Sequence, residues 1–302
     1  MQFRIFCTCL FCIVLGASHV MAQTSLIGIW RAGDEFSYAI EDKNSISTGT
    51  DILNQSLKLD TNWHVKTVGV DGSAVITVTI ERVRFKADQK GIPLPFEELS
   101  FDSENPVEAR NKGEMSTFGA LNAFVGSQMS ITINEKRELS KFDLSEPLAA
   151  HLEKNQMTLE LAGGFGHTFT TNGMRRRMTS WLIPSPSKPV SKGETWRREQ
   201  SSRYEDFFVC LDTYTMEGST LGDGQTLTKI DVKTELALSD NNKGKRQAKI
   251  AEQSGGGFVY FDEQTGRVIE ATLRHQIAEE SPYAPRLINT TINAKLFANR
   301  KQ

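Results

Sequence analysis

Cysteine is scarce where it could matter. Of the four cysteines in the 302 residues, Cys7, Cys9 and Cys12 sit in the N-terminal apolar run, and only Cys210 lies beyond it. An intrachain disulfide is therefore excluded once that run is removed, and cysteine spacing offers no zinc site. Within Phe207-Phe208-Val209-Cys210-Leu211 the lone thiol reads as a buried structural residue. Histidine is equally thin. Beyond the first 22 residues, His64, His151, His167 and His275 each occupy a different segment. No two have the spacing that puts two ligands on one helix face, and His151-Leu152-Glu153-Lys154 lacks the second histidine of a metalloprotease helix.

Nucleophile and phosphate motifs are missing too. There is no Gly-x-Ser-x-Gly elbow, and Gly163-Gly164-Phe165-Gly166-His167 matches neither a phosphate loop nor a dinucleotide fingerprint. Ser185 and Lys188 have Ser-x-x-Lys spacing, but Pro184, Pro186 and Pro189 prevent the helix that would bring them together. Asp240-Asn241-Asn242-Lys243-Gly244 has its glycine one place too early for a calcium loop and lacks the bidentate acid, so it reads as a polar turn. Ordinary acid pairs such as Asp102 with Glu104, or Glu279-Glu280, complete the inventory. The sequence names no catalytic residue, no cofactor and no metal. That lowers the case for an enzyme, although catalytic groups can assemble from distant positions.

An excess of either charge is also lacking. The 35 lysines and arginines nearly balance 37 acids, a formal net charge of −2. Such a chain has no general attraction to nucleic acid or anionic membrane, which argues against both partners. Long apolar runs are absent after the N-terminus, so no membrane span is expected there. The first 22 residues are different. Arg4 precedes an apolar stretch from Ile5 to Gly16, and Val20-Met21-Ala22 forms a cleavage site before Gln23. This is the layout of a secretory signal peptide. The expectation is export, to the periplasm or beyond, as a soluble mature chain.

What the sequence does contain is alternation. Ile76, Val78 and Ile80 alternate with Thr77, Thr79 and Glu81, after a turn at Asp71-Gly72. Ile230, Val232, Leu236 and Leu238 share a face beyond Asp223-Gly224, and Glu263-Gln264-Thr265-Gly266 turns between two further strands. Ile288, Ile292, Ala294 and Leu296 alternate with Asn289, Thr291, Asn293 and Lys295. One wet and one dry face suit antiparallel sheets packed on one side. Three short helices are expected: Thr117 to Val125 capped by Ser116, Leu148 to about Gln156, and one carrying Met174, Met178, Trp181 and Leu182. In the last, Arg175-Arg176-Arg177 reads as a solvated face. Prolines from Pro184 to Pro189 end it.

A pattern also recurs. Gly33-Asp34-Glu35-Phe36 is echoed by Gly193-Glu194-Thr195-Trp196, and Phe101-Asp102 by Phe261-Asp262. The expected fold is mainly β (β-rich α+β), two similar antiparallel β-units with a few short helices in an open curved sheet or half-barrel. Its divisions are a signal peptide over 1–22, a first unit over 23–145, a helical and Pro-rich connector over 146–190, and a second unit over 191–302. Gly33 and Gly193 are turns that launch the units, and Phe36, Trp63, Trp196 and Phe261 are structural anchors.

The run Leu182-Ile183-Pro184-Ser185-Pro186-Ser187-Lys188-Pro189-Val190 leading into Lys192-Gly193-Glu194-Thr195-Trp196 resembles the centre of an uncharacterised family of secreted bacterial proteins. Gly33 to Tyr38, Trp63 to Val78 and Tyr260 to Val268 match that family's other turns and strand starts, whereas Gly163 to His167 has no counterpart. The resemblance implies an exported β-rich domain of unknown function and carries over no catalytic residue. The expected role is a non-enzymatic envelope protein that binds or scaffolds through a sheet face or the cleft between its units. Its partner would be an apolar small molecule or another envelope protein. The alternatives are an extracytoplasmic hydrolase with an unrecognised site and a purely structural protein.

Overall fold

The computed structural model describes residues 24, 26, 29–91, 98–161, 171–201, 208–222, 225–238, 249–280 and 285–300. The strands are β1 Glu35–Thr48, β2 Asp51–Val68, β3 Ala74–Lys90, β4 Glu98–Asp102, β5 Gln128–Ile133, β6 Leu139–Leu144, β7 Thr195–Ser201, β8 Phe208–Gly222, β9 Gln225–Leu238, β10 Lys249–Asp262, β11 Arg267–Glu280 and β12 Arg286–Arg300. The helices are α1 Lys112–Asn122, α2 Glu146–Leu161 and α3 Thr171–Thr179. Strand far outweighs helix among the described residues. All twelve strands belong to one open antiparallel sheet ordered β6-β5-β3-β2-β1-β12-β11-β10-β9-β8-β7, with β4 also paired to β3. The mainly β, open-sheet architecture expected from the alternation is the observed one.

Alternation dictates the strands. In β2, Leu53, Gln55, Leu57, Leu59, Thr61, Trp63 and Val65 are buried on one face, and the residues that alternate with them face the other side. Chain order then makes two meanders that run in the same direction across the sheet, β1 to β6 and β7 to β12, joined where β1 pairs with β12. Their first strands start alike. Gly33 N–H donates to Val65 O and Val65 N–H to Asp34 O; Gly193 N–H donates to Met216 O and Met216 N–H to Glu194 O. Both glycines are left-handed, at φ 89° and 85°, a conformation that favours Gly over any side chain. Phe101-Asp102 and Phe261-Asp262 end β4 and β10, and each aspartate accepts from the backbone N–H two residues on. The meanders diverge after that point: the first continues into α1, β5, β6 and the other helices, the second into β11 and β12. Asp223-Gly224 lies outside the described residues.

One face of the sheet is covered. Phe36, Tyr38, Ile40, Trp63, Val78, Phe85, Val259 and Phe261 join Phe124, Leu148, Met174, Met178 and Trp181 in a single buried cluster. Its centre is aromatic, with Tyr38 4.6 Å from Trp181 and Trp63 5.6 Å from Trp181 between ring centroids. A smaller cluster of Leu236, Ile277 and Ile288, with Cys210 against it, lies toward the other end of that face. The β10 strand crosses the second meander with Gly255-Gly256-Gly257. A Cβ on Gly257 would stand 1.8 Å from Thr272 O, so only glycine lets β11 approach this closely.

Helix boundaries differ from the periodicity in instructive ways. The first helix begins one turn before Ser116. Asn111 Oδ1 accepts from Glu114 N–H and the Glu114 carboxylate accepts from Arg110 N–H, a stronger start than a lone serine. The arginines of α3 are not a solvated face. Arg177 is buried and donates from Nη2 to Asp42 Oδ2 at 2.9 Å. A run of three cations necessarily points one of them inward when the opposite stripe packs on a sheet. Among the described residues, no helix is long and apolar enough to cross a membrane.

Candidate functional site

Side chains alternate across the sheet, so the residues between the buried ones form its second, open face. Register places two adjacent rows on it. Ser254, Gln276, Asn289, Ser45, Asn54 and Asp88 are directly opposed from β10 through β11, β12, β1 and β2 to β3. Gly256, Arg274, Thr291, Lys43, Ser56 and Lys86 follow the same path two residues along each strand.

These two rows line two hollows. The first, of about 350 Å³, is bounded by Lys43, Ser45, Asn54, Ser56, Lys86 and Asp88 among others. The second, of about 410 Å³, is bounded by Ser254, Gly256, Arg274, His275, Gln276 and Thr290 among others. Asn289 and Thr291 of β12 line both, so the hollows meet where the two meanders meet.

Hydrogen bonds fix part of the lining. Ser45 Oγ donates to Asn54 Oδ1 at 2.8 Å, and Asn54 Nδ2 donates to Asp88 Oδ1 at 2.9 Å. Glu41 gathers Lys43 Nζ at 3.1 Å and Ser56 Oγ at 3.3 Å. Amides and hydroxyls can both donate and accept. The surface is therefore suited to a ligand that presents many neutral polar groups.

The sequence-predicted anchors lie elsewhere. Phe36, Trp63 and Phe261 are buried in the aromatic cluster on the covered face, and Trp196 packs against its edge, donating from Nε1 to Pro184 O at 2.9 Å. Gly33 and Gly193 form the two matching turns. Around these aromatics sit a half-buried arginine, Arg198, and a buried one, Arg137, that fasten the helical segment to the sheet. Arg198 donates to Leu182 O and Ser180 O and pairs with Asp212. Arg137 donates to Ile183 O and Gly266 O while lying over the rings of Trp30 and Phe261. Burial pushes the Arg137 guanidinium down to about 10 and pushes the Tyr38 phenol upward, so Tyr38 is a neutral donor to Val268 O at 2.8 Å.

The remaining candidates are dispersed. His64 Nδ1 stands 3.2 Å from Glu35 Oε1, a directly opposed pair on β2 and β1, and neither residue lines the hollows. His151 Nε2 bonds Ala120 O at 2.8 Å, tying α2 to α1. Ser185 Oγ donates to Leu26 O, away from any lysine partner of the Ser-x-x-Lys kind. Gly163 to His167 and Asp240 to Gly244 lie outside the described residues. Among the described residues, no group of three or more His, Cys, Asp or Glu could hold a metal ion. Lys43, Lys86 and Arg274 were not singled out in the sequence, because their relation depends on the pairing of strands far apart in the chain.

Fold and surface together define a mainly β protein with an open antiparallel sheet, helices on one face and a polar, hollowed second face. Residues 71–256 match the family model described as "Family of unknown function (DUF6263)", and the chain belongs to that family. This is the uncharacterised type of domain that the turn and strand-start motifs resembled. No curated protein matches the chain. Among solved structures, the chain is similar to one titled "Lipid-protein interactions in lipovitellin", at 10% identity and a TM-score of 0.48; the match covers 89% of this chain and spans 26% of that one. A DUF1329 family protein from Desulfovibrio piger is 9% identical with a TM-score of 0.18, over 89% of this chain and 88% of that one. The COG4313 outer membrane channel from Pseudomonas putida F1 is 7% identical with a TM-score of 0.26, over 89% and 97%. Likenesses this distant do not inform the chemistry of the site.

Proposed function

We propose that the protein is an exported, non-enzymatic binding protein of the cell envelope, and that it holds a hydroxyl-rich ligand, a glycan, across its open sheet face. The observation that carries this reading is the meeting of the two hollows at Asn289 and Thr291. Five strands, β1, β2, β10, β11 and β12, contribute neutral donors and acceptors to one surface there, and a rigid sheet holds them in fixed register. Export rests on the charged, apolar and small-residue pattern of the first 22 residues. The covered face supports the reading indirectly. Its aromatic cluster and buried arginines bind the helices to the sheet, which stiffens the other face.

Isothermal titration of residues 23–302 with soluble peptidoglycan fragments and lipopolysaccharide core oligosaccharides tests the proposal. Binding is expected for at least one class. Asn289→Leu combined with Thr291→Val is expected to weaken it tenfold or more, because each unsatisfied polar partner costs about 1–3 kcal/mol. Absence of binding to every glycan, together with an apolar molecule retained in native mass spectrometry, would overturn this reading in favour of an apolar carrier.

A further inference from the structure

The row that carries Lys43 and Lys86 extends well beyond the hollows. Direct pairing carries it from β7 to β4 through Arg197, Thr213, Lys233, Gly256, Arg274, Thr291, Lys43, Ser56, Lys86 and Ser100. Cations stand on β7, β9, β11, β1 and β3. The strands between them contribute only Thr213, Gly256, Thr291, Ser56 and Ser100. Every cation of the row is exposed. Like charges directly opposed on neighbouring strands repel, so alternate strands are the closest spacing at which a sheet comfortably holds a row of one sign.

Resting on the glycan reading above, we infer that this row selects a linear acidic polysaccharide carrying about one carboxylate for each two strands crossed. Neighbouring strands are about 4.8 Å apart, which spaces the cations by roughly 9.6 Å. That is on the scale of a disaccharide. A nucleic acid is charged far more densely, with a phosphate every ~3.4 Å along each strand. Moreover, the two rows that line the hollows contain no aromatic side chain on which bases could stack. Lys43, Lys86 and Arg274 line hollows, a shape that admits a chain and is poorly met by a flat membrane.

Acids stand by the row, with Asp88 within the lining of the first hollow. Glu41 pairs with Lys43, Glu235 lies 2.6 Å from Lys233, and Asp88 accepts from Asn54. Between Lys233 and Lys86 the neighbouring row on one side is neutral, Ser254, Gln276, Asn289, Ser45 and Asn54, while the row on the other side mixes signs, with Asp231, Glu41, Lys58 and Arg84. The carboxylates of the ligand would meet Arg274 and Lys43 there, with its hydroxyls and amides against the neutral side chains.

The test uses a hyaluronan octasaccharide, with one carboxylate on each disaccharide, and an uncharged chitin oligosaccharide of equal length as probes. Single-stranded DNA and phosphatidylglycerol vesicles serve as competitors. The acidic glycan is expected to bind at least tenfold more tightly than the neutral one at low salt, and to lose that advantage as salt is raised. The double variant Lys86→Gln and Arg274→Gln is expected to abolish the preference, with an unchanged melting temperature. Equal binding of both glycans, with no effect of the double variant, would sink the charge-spacing inference while leaving the glycan reading intact. A preference for DNA or vesicles would sink it as well. Failure to bind any glycan would remove both.

Discussion

The two faces of one sheet use arginine and lysine in opposite ways. On the covered face, Arg137, Arg177, Arg198 and Arg267 are each committed to a carbonyl, a carboxylate or an aromatic ring. On the open face, Arg197, Arg274, Lys43 and Lys86 stand exposed in register, with Lys43 beside Glu41 at the surface. Guanidinium suits the first task because its planar fork satisfies several acceptors and stacks on rings. The lesson is that strand alternation sorts cations as well as apolar groups, and a cation's neighbours in the chain do not reveal its use. A formal net charge of −2 conceals both populations.

The sharpest break of this contrast lies on the covered face. Trp63→Ala is expected to destabilise the protein by about 3–5 kcal/mol, because a fully buried indole leaves a cavity among packed aromatics. Urea denaturation measures it, and a loss below about 1 kcal/mol would contradict the packing described. Next comes Asp42→Ala, expected to cost about 3 kcal/mol by leaving the Arg177 guanidinium buried without its carboxylate. Arg177→Met in the same background should recover part of that loss, since it removes a buried charge that has lost the Asp42 carboxylate.

A smaller effect belongs to the open face. Arg82 makes two hydrogen bonds to Asp102 and holds its carboxyl well below the usual carboxylate range. A lowered folded-state value means the unfolded chain binds the proton more readily. The contribution is therefore complete above about pH 4 and vanishes as the pH falls toward the folded-state value. Asp102→Asn should cost about 1 kcal/mol at neutral pH, and the gap between variant and wild type should close in acid. A gap that widened below pH 4 would reverse the assignment. Smallest of all, Lys86→Gln and Arg274→Gln should change stability by less than about 0.5 kcal/mol, which thermal unfolding can check.

Much of this architecture was legible from short-range pattern. The strands announced themselves through residues such as Ile76, Val78 and Ile80, and the matching turns through Gly33 and Gly193. Three helices form in the segments that periodicity marks, but α1 is shifted to Lys112–Asn122 because Asn111 and Glu114 cooperate at its cap, and α3 ends at Thr179, before Trp181 and Leu182. Two things were hidden. Arg177 looked solvated because a helix wheel cannot show that an aspartate waits on β1. The open-face row was invisible because Arg274 and Lys43 come together only through β12, a relation among residues hundreds of positions apart. Asn289 and Thr291 were recognised as a wet face, but their neighbours could not be.

The seam between β1 and β12 also constrains how the molecule is made. Tyr38 pairs with Leu296, so the middle of the sheet cannot close until β12 has left the ribosome. Until then β1 presents a long bare edge, and contacts of such sequence separation form slowly. A circular permutant that begins at β7 and joins β12 directly to β1 would lay out every strand of the path in spatial order. It should reach the same sheet faster, and with less aggregation on the way.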